Sequence, residues 1–303
     1  MKSKTVSIII STLNRHKVLI QTLKLLLQNI SSFMEVVIVD QSKYVPKDFL
    51  NFICEHKKIK YIRQNITSVP EGYNLGAKKA RGEIVLYLDD DVIPSYRLVD
   101  FHRKNYSNER IGGVTGRVVE PYNNNVWTTG RVNYITKTGD VIQNLTIKEK
   151  SETNGVSGGN MSFRKSLIGK AGYFDPSFIG NAFRVETDFS IRVRELGYKI
   201  IFEPEAATFH LSAKEGGTRK TRENAPRWYY EYFRNYTYFF FKHGNHLYFP
   251  LFLIQKKIAV IWLKCIILGL IRWKKGFFIG FRIPLKGLYD GYKNYQKQYK
   301  EVI

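Results

Sequence analysis

Three consecutive aspartates, Asp89, Asp90 and Asp91, are the residues of this sequence whose type and spacing best suit chemistry. Neighbouring carboxylates repel one another, so the triplet costs stability unless a cation neutralises it. Alternate side chains of an extended segment point the same way, so Asp89 and Asp91 can share one ligand. Hard oxygen ligands suit Mg²⁺ and Mn²⁺, which commonly bridge to substrate phosphates. The triplet therefore predicts a divalent cation site, with a solvated acidic turn as the plainer alternative.

A buried strand must position these aspartates, because the apolar run Ile84–Leu88 leads directly into them. Two further apolar runs, Val6–Ile10 and Glu35–Val39, also end in polar residues, and leucines at helical spacing lie between them. Apolar strands that alternate with helices are typical of an α/β protein whose parallel sheet is buried on both faces. Ligands bind such sheets beyond the carboxyl ends of the strands. The other polar residues expected at that edge are Thr12, Asn14, Arg15 and Asp40.

The second half of the chain is less regular but carries a second acidic group. Its predicted strands cover 114–119, 160–163 and 199–202, and its predicted helices cover 165–171 and 189–196. Glu186 and Asp188 precede the second of these helices, where the helix dipole also favours acids as simple caps. No Gly-x-Gly-x-x-Gly turn follows the first strand, so the sequence disfavours an NAD-binding Rossmann enzyme.

Taken in order and at their spacing, these segments resemble the family 2 glycosyltransferases. The resemblance covers roughly residues 5–245. The matching segments are 7–15, 39–42, 74–76, 82–91, 158–160, 172–175, 186–192 and 195–198. The resemblance implies a GT-A type, Rossmann-like α/β fold, with a mixed, mainly parallel sheet flanked by helices. An amphipathic helical region is expected to follow at the C-terminal end.

The resemblance also implies a reaction and a donor site. The expected activity is metal-dependent, inverting transfer of a sugar from a nucleoside diphosphate sugar, with UDP-sugars favoured, to a hydroxyl of a glycan or lipid-linked acceptor. Mn²⁺ or Mg²⁺ would be held by Asp91, with Asp89 and His210. Asp40 would accept a hydrogen bond from the base. The residues expected to bind the nucleotide sugar are Thr12, Asn14, Arg15, Asp40, Asn74, Asp89, Asp90 and Arg234.

Transfer to a hydroxyl needs a second carboxylate, because the hydroxyl is a poor nucleophile until a base removes its proton. Similar enzymes often carry an adjacent acidic pair where this chain has Val185 and Glu186, followed two residues later by Asp188. Glu186 is the first choice for the base, and the choice between it and Asp188 stays open. Acceptor binding is expected at Gly158, Gly159 and Asn160.

Charge divides the chain into an expected catalytic domain, 1–213, and a C-terminal region, 214–303. Within the domain we expect a nucleotide-sugar half, about 1–115, and an acceptor half, about 116–213. The formal net charge is +22, and 214–303 carries 18 Lys and Arg against 5 Asp and Glu among aromatic and aliphatic residues. The segment 247–273 is apolar but broken by basic residues, which favours a helix lying on an anionic membrane surface. A helix packed on the core and an interrupted transmembrane hairpin are the alternatives.

Two other functions are weaker readings of the same residues. A sugar-phosphate nucleotidyltransferase would open with a glycine-rich pyrophosphate loop, and residues 11–15 contain no glycine. A basic nucleic-acid-binding module would leave both acidic groups unexplained, so no nucleic-acid partner is expected. Two distant cysteines and the lack of a cleavable signal pattern favour a cytoplasmic protein, peripheral on the inner face of the cell membrane. The oligomeric state stays open.

Overall fold

The computed structural model describes residues 4–29, 31, 34–121, 134–136, 141–142, 144, 147–213, 215–218, 225–272 and 276–300. The strands are β1 (Val6–Thr12), β2 (Met34–Asp40), β3 (Ile59–Arg63), β4 (Ile84–Leu88), β5 (Val92–Pro94), β6 (Ile111–Val119), β7 (Tyr134–Ile135), β8 (Val141–Ile142), β9 (Ser151–Thr153), β10 (Asn160–Arg164) and β11 (Lys199–His210). The α-helices are α1 (His16–Gln28), α2 (Lys47–Cys54), α3 (Val69–Lys79), α4 (Leu98–Lys104), α5 (Lys165–Lys170), α6 (Val185–Glu195), α7 (Ala225–His243), α8 (Phe249–Leu253), α9 (Lys256–Arg272) and α10 (Gly276–Lys300).

Nine strands of the described residues form a mixed sheet in the order β3-β2-β1-β4-β10-β6-β11-β5, with β9 paired to β11. The first four strands are parallel, and their register sets Thr12 opposite Asp40 and Ile10 opposite Leu88. β10 runs antiparallel between β4 and β6, and β6 is parallel to β11. The carboxyl ends of β1, β2 and β4 therefore meet at one edge, which confirms the predicted mixed, mainly parallel α/β sheet.

Burial of the central strands on both faces explains their apolar sequences. Every residue of β4 is buried, and so is every residue of β1 apart from Ser11. Gly76 of α3 lies so close to Ile9 that a larger side chain would collide with it, which brings the helix down onto the sheet. Burial of these apolar side chains makes the central strands a tightly packed, rigid part of the fold. The polar residues at the carboxyl ends of the strands are therefore held in fixed positions.

β11 is longer than its sequence pattern predicts. The predicted strand ends at Phe202 before Pro204, whereas the observed strand continues to His210. A register shift against β6 between Glu203 and Ala207 accommodates the proline, because a bulge removes the need for a ladder hydrogen bond there. The continuation carries His210 to the edge where β4 ends.

The chain divides into two compact units. One comprises 1–134, 143–175 and 186–217, and the other comprises 135–142, 176–185 and 218–303. The predicted boundary at residue 213 thus falls five residues before Thr218, where the last segment of the second unit starts. In that unit, α10 packs along both α7 and α9. Within the part of the chain that the structure describes, no helix is long and apolar enough to cross a bilayer.

Candidate metal and donor site

The acidic triplet and His210 form a cluster at the carboxyl edge of the sheet. One ligand atom each from Asp89, Asp91 and His210 lies within 4.8 Å of the others. His210 Nε2 is 3.1 Å from Asp91 Oδ1 and 3.7 Å from Asp89 Oδ2. The antiparallel pairing of β11 with β5 causes this, since it sets His210 opposite Val92. Two carboxylates and an imidazole form a donor set that suits Mn²⁺.

Asp90 points away from this cluster and is held by two residues predicted to bind the donor. Thr12 Oγ1 donates to Asp90 Oδ2 at 2.6 Å, and Arg15 donates to Asp90 Oδ1 at 3.0 Å. Thr22 also donates to the Asp90 carbonyl oxygen at 3.1 Å. These contacts fix the backbone of the triplet, so that Asp89 and Asp91 present their carboxylates on the same side. Arg15 is the N-cap residue of α1, but its side chain makes no capping hydrogen bond to the helix.

Electrostatics in the cluster favour a bound positive charge. Burial raises the pKa of Asp91, but the hydrogen bond and charge of His210 outweigh that effect, so its pKa is lowered overall. Burial lowers the pKa of His210, but hydrogen bonds to Asp91 and Glu120 outweigh it and raise the pKa to about 9. Desolvation raises the pKa of Asp89 to about 6. The imidazolium thus supplies part of the positive charge that a divalent ion would bring.

Asp40 is fully buried and has four protein partners. His16 Nε2 donates to it at 2.9 Å and the Tyr61 hydroxyl at 2.8 Å. The Ser42 backbone N–H donates at 2.8 Å, and Arg63 approaches to 3.4 Å. Burial raises the pKa of Asp40, but hydrogen bonds, led by that of the Ser42 side chain and then by that of His16, lower it overall. The structure places Asp40 at the predicted edge, where it orders the side chains around it.

Glu186 faces the cation cluster across two glycines. A Cβ on Gly158 would lie 2.6 Å from Glu186 Oε1, and a Cβ on Gly159 would collide with the Asp89 carboxylate. Gly159 also has a φ of +80°, a conformation that other residues rarely adopt. Tyr73 lies close enough to both acids to be affected by them. Burial, and then the negative charges of Glu186 and Asp89, raise the pKa of its hydroxyl. The glycine pair therefore separates the two carboxylates.

Asp188 and Asn160 lie in different surroundings from the other predicted site residues. Asp188 is fully buried, and Arg192 donates to it at 2.7 Å and 3.1 Å. Asn160 is also fully buried and donates to the carbonyl oxygens of Arg117 and Ala206 at 3.0 Å and 2.7 Å. Both side chains tie elements of the fold together in this structure.

Two predicted donor contacts also have partners within their own units. Asn74 both donates to and accepts from the backbone of Phe174, at 2.7 Å and 2.8 Å. Arg234, in the second unit, donates to the Ser177 carbonyl oxygen at 2.6 Å. The Asn74 amide thus connects α3 to the turn that follows α5.

Glu120 and the backbone of Ala213 are site residues that the sequence analysis missed. Glu120 accepts from His210 Nδ1 at 2.9 Å, and the Ala213 N–H donates to Asp91 at 2.9 Å. Glu120 directly follows β6, and a polar residue at a strand end is the signal that could have found it. The Ala213 contact is made by backbone and leaves no trace in side-chain type.

A cleft of about 480 Å³ opens beside the cluster. Its lining residues are Asn14, Arg15, His16, Lys17, Val18, Pro46, Ala213 and Glu215. The backbone of Glu215 and Gly217 closes one side, because Arg15 Nε donates to the Glu215 carbonyl oxygen and Gly217 N–H donates to that of Leu13. The basic side chains give this cleft a lining suited to an anionic ligand.

Comparison with solved structures identifies the fold. GalNAc-T7, solved with UDP, GalNAc and Mn²⁺, is similar with a TM-score of 0.63 and 16% identity, over 83% of this chain and 50% of that one. The mannosyltransferase PcManGT from Pyrobaculum calidifontis, in complex with GDP-Man and Mn²⁺, gives 0.59 and 14%, over 97% and 88%. The chain thus spans about half the length of GalNAc-T7. No significant match to a curated protein was found.

The sheet order and these likenesses define the fold of the chain as the GT-A type. The profile of glycosyl transferase family 2 matches residues 7–172, more than half of the chain. The chain belongs to this family, and the resemblance seen in the sequence is confirmed.

Proposed function

We propose that the protein transfers a sugar from a nucleoside diphosphate sugar to a hydroxyl acceptor, with inversion and with Mn²⁺ or Mg²⁺ as cofactor. The observation that carries this proposal is the convergence of Asp89, Asp91 and His210 at the sheet edge, with Glu186 across the glycine pair. One side of the edge would hold the diphosphate and the other would hold the acceptor. This arrangement provides the two carboxylate centres that the reaction needs.

The donor side is built to compensate negative charge. A bound divalent ion would neutralise the charge that grows on the departing diphosphate. Asp91 and Asp89 would hold that ion, while Arg15, 3.5 Å from Asp91 and at the mouth of the cleft, would approach the phosphates. Asp90 stays with Thr12 and Arg15 and keeps both in position.

The acceptor side centres on Glu186. Its carboxylate lies against Gly158, whereas that of Asp188 is buried and paired with Arg192. We assign the general base to Glu186, which would remove the proton of the acceptor hydroxyl as the new bond forms. Attack from the face opposite the diphosphate would invert the sugar carbon. The backbone of Gly158 and Gly159 would line the space between the two substrates.

UDP-sugars are the first donors to test, because Asp40 lies at the end of β2, where the base is expected. Its partners His16, Tyr61 and Arg63 would surround the nucleotide base with hydrogen-bond donors and with the edge of an aromatic ring. GDP-sugars belong in the same screen, since one structural neighbour was solved with GDP-Man.

A membrane surface is the proposed location of the acceptor. One face of α9 packs in the second unit through Ile258 and Cys265, both fully buried. Another face exposes Val260, Leu263 and Ile267, spaced three and four residues apart, with 40%, 57% and 43% of each exposed. The net charge of +13 over 214–303 matches an anionic lipid surface. This combination supports a peripheral protein on the inner face of the cell membrane that modifies a glycan or lipid-linked acceptor.

The test is a donor screen with and without divalent ions. The expected result is release of a nucleoside diphosphate, or sugar transfer, from at least one donor with Mn²⁺ or Mg²⁺, and none in excess chelator. Asp91→Asn should remove the activity, and Glu109→Gln, an exposed residue outside the cluster, should retain it. Full activity of Asp91→Asn, or activity in chelator, would overturn the proposed metal dependence.

A further inference from the structure

Glu120 and His210 form a hydrogen-bonded pair just behind the candidate cation cluster. His210 Nδ1 lies 2.9 Å and 3.0 Å from the two oxygens of Glu120. Its other nitrogen, Nε2, points to Asp91 at 3.1 Å. The two ring nitrogens therefore face opposite carboxylate groups, one inside the cluster and one outside it.

We propose that Glu120 is a positioning residue that prepares His210 to bind the divalent ion through Nε2. The inference rests on the proposed function, since it concerns the same cation site. An imidazole can bind a metal through one nitrogen only if that nitrogen carries no proton. Glu120 accepts a hydrogen bond from Nδ1 and so keeps the ring proton there. When the divalent ion displaces the proton that Nε2 shares with Asp91, the other ring proton stays on Nδ1, and the ring is already oriented with Nε2 toward the cluster.

The strand pairing explains why Glu120 reaches this position. β6 and β11 are parallel, with Val119 opposite Phe209, so the residues that follow, Glu120 and His210, come side by side. Ser212 Oγ donates to Glu120 Oε2 at 3.2 Å and steadies the carboxylate from the other side. Hydrogen-bonded partners behind a metal-binding histidine typically change metal affinity about 10–100-fold when they are removed.

Solvent exposure separates this role from a purely structural one. The Glu120 side chain is 43% exposed, whereas that of Asp91 is fully buried. Because one partner of the Glu120–His210 pair lies partly in solvent, we expect the pair to contribute little to folding stability. Removal of the Glu120 carboxylate should therefore weaken metal binding while leaving the folded state nearly as stable as before.

The experiment measures Mn²⁺ binding to the full chain by isothermal titration calorimetry, without any nucleotide sugar. Glu120→Ala should lower Mn²⁺ affinity about 10–100-fold, and Glu120→Gln, which still offers an accepting oxygen, should lose less. Glu109→Gln is the matched control, because it removes an exposed carboxylate elsewhere. Thermal unfolding without Mn²⁺ should give the same midpoint for all three variants within about 2 °C, since exposed charges affect stability little.

The outcomes distinguish this inference from the proposed function. Unchanged Mn²⁺ affinity in Glu120→Ala, with binding lost in Asp91→Asn, would overturn the role of Glu120 and leave the metal site standing. Undiminished binding in Asp91→Asn, or no binding by the unaltered protein, would overturn both. An affinity loss in Glu120→Ala equal to that in Glu109→Gln would show a general charge effect and also reject the proposal.

Discussion

Arg192 donates two hydrogen bonds to Asp188 from one turn further along α6, the shorter at 2.7 Å. Its guanidinium also donates to the Ala171 carbonyl oxygen and so connects α6 to the end of α5. Asp188 is therefore part of a buried hydrogen-bond network that connects two helices. Glu186, two residues earlier, instead faces Gly158 and the cation cluster. The two acids between which the sequence leaves the choice of base open thus occupy two different environments.

The first prediction separates these acids by substitution. Glu186→Gln should lower turnover about 10²–10⁴-fold, the usual contribution of a general base, with nearly unchanged donor affinity. Asp188→Asn should instead lower the free energy of unfolding by roughly 1.5–3 kcal/mol, because hydrogen bonds to a charged group are lost. Steady-state kinetics and denaturant unfolding of both variants provide the check. A large turnover loss confined to Asp188→Asn would reverse the assignment.

The second prediction concerns Gly159. Gly159→Ala would place a Cβ against the Asp89 carboxylate at a φ of +80°. We expect it to lose Mn²⁺ affinity as well as about 1–2 kcal/mol of stability, the usual cost of the left-handed conformation. Gly197→Ala is the matched control, since Gly197 has a φ of +87° with nothing near the new atom. It should lose similar stability and keep Mn²⁺ binding; equal Mn²⁺ affinities in the two variants would contradict a spacing role.

The third prediction is a pH dependence of stability caused by His102. This side chain is fully buried against Ser162 and Asn160, and burial lowers its pKa to about 4 from the ordinary histidine value of 6.5. Between these values the unfolded chain binds a proton that the folded chain does not, so stability falls as pH falls. The loss should begin near pH 6.5 and reach roughly 3 kcal/mol near pH 4.

Urea unfolding at several pH values tests this dependence. His102→Gln should be less stable at pH 7.5 and should lack the part of the slope between pH 6.5 and 4 that the histidine causes. The exposed His246 serves as control, since His246→Gln should keep the slope of the unaltered protein. Parallel stability profiles for His102→Gln and the unaltered protein would show that other groups set the acid limit.

The fourth prediction concerns the membrane surface. The full chain should sediment with anionic vesicles more than with neutral ones, and high salt should release only part of it. Each basic residue near such a surface contributes about 1 kcal/mol to the binding free energy. Burial of the exposed apolar residues of α9, Val260, Leu263 and Ile267, adds a contribution that salt does not screen. Complete release by salt would leave a purely electrostatic contact.

Two variants, one double and one single, test which surface makes that contact. Leu263→Gln combined with Ile267→Gln should weaken vesicle binding, whereas Ile66→Gln, at an exposed isoleucine of the first unit, should not. Substitution is preferable to truncation after Gly244, because α7 is largely buried and packs along α10. Vesicle binding that is equal in all variants would reject α9 as the membrane surface.

The sequence alone predicts the alternation of strands and helices along residues 6–88 and the position of the acidic triplet. Strands β1, β2 and β4 are short apolar runs that end in polar residues, and leucines at helical spacing lie between the first two, so neighbouring residues are sufficient to predict these elements. The same local rule predicts that Asp89 and Asp91 face one way, since side chains alternate along an extended chain. Each of these predictions depends only on residues that are close together in the sequence.

Only the tertiary structure decides which distant side chains meet. Glu120 and His210 are 90 residues apart and become neighbours because β6 and β11 pair in one particular register. The local pattern predicts that β11 ends before Pro204. The bulge after Glu203 lets the strand continue past this proline. Glu186 and Asp188 look alike in sequence, and they differ because packing buries one against Arg192 and leaves the other beside Gly158. Such choices depend on register and burial, which are properties of the assembled sheet and are absent from any single segment.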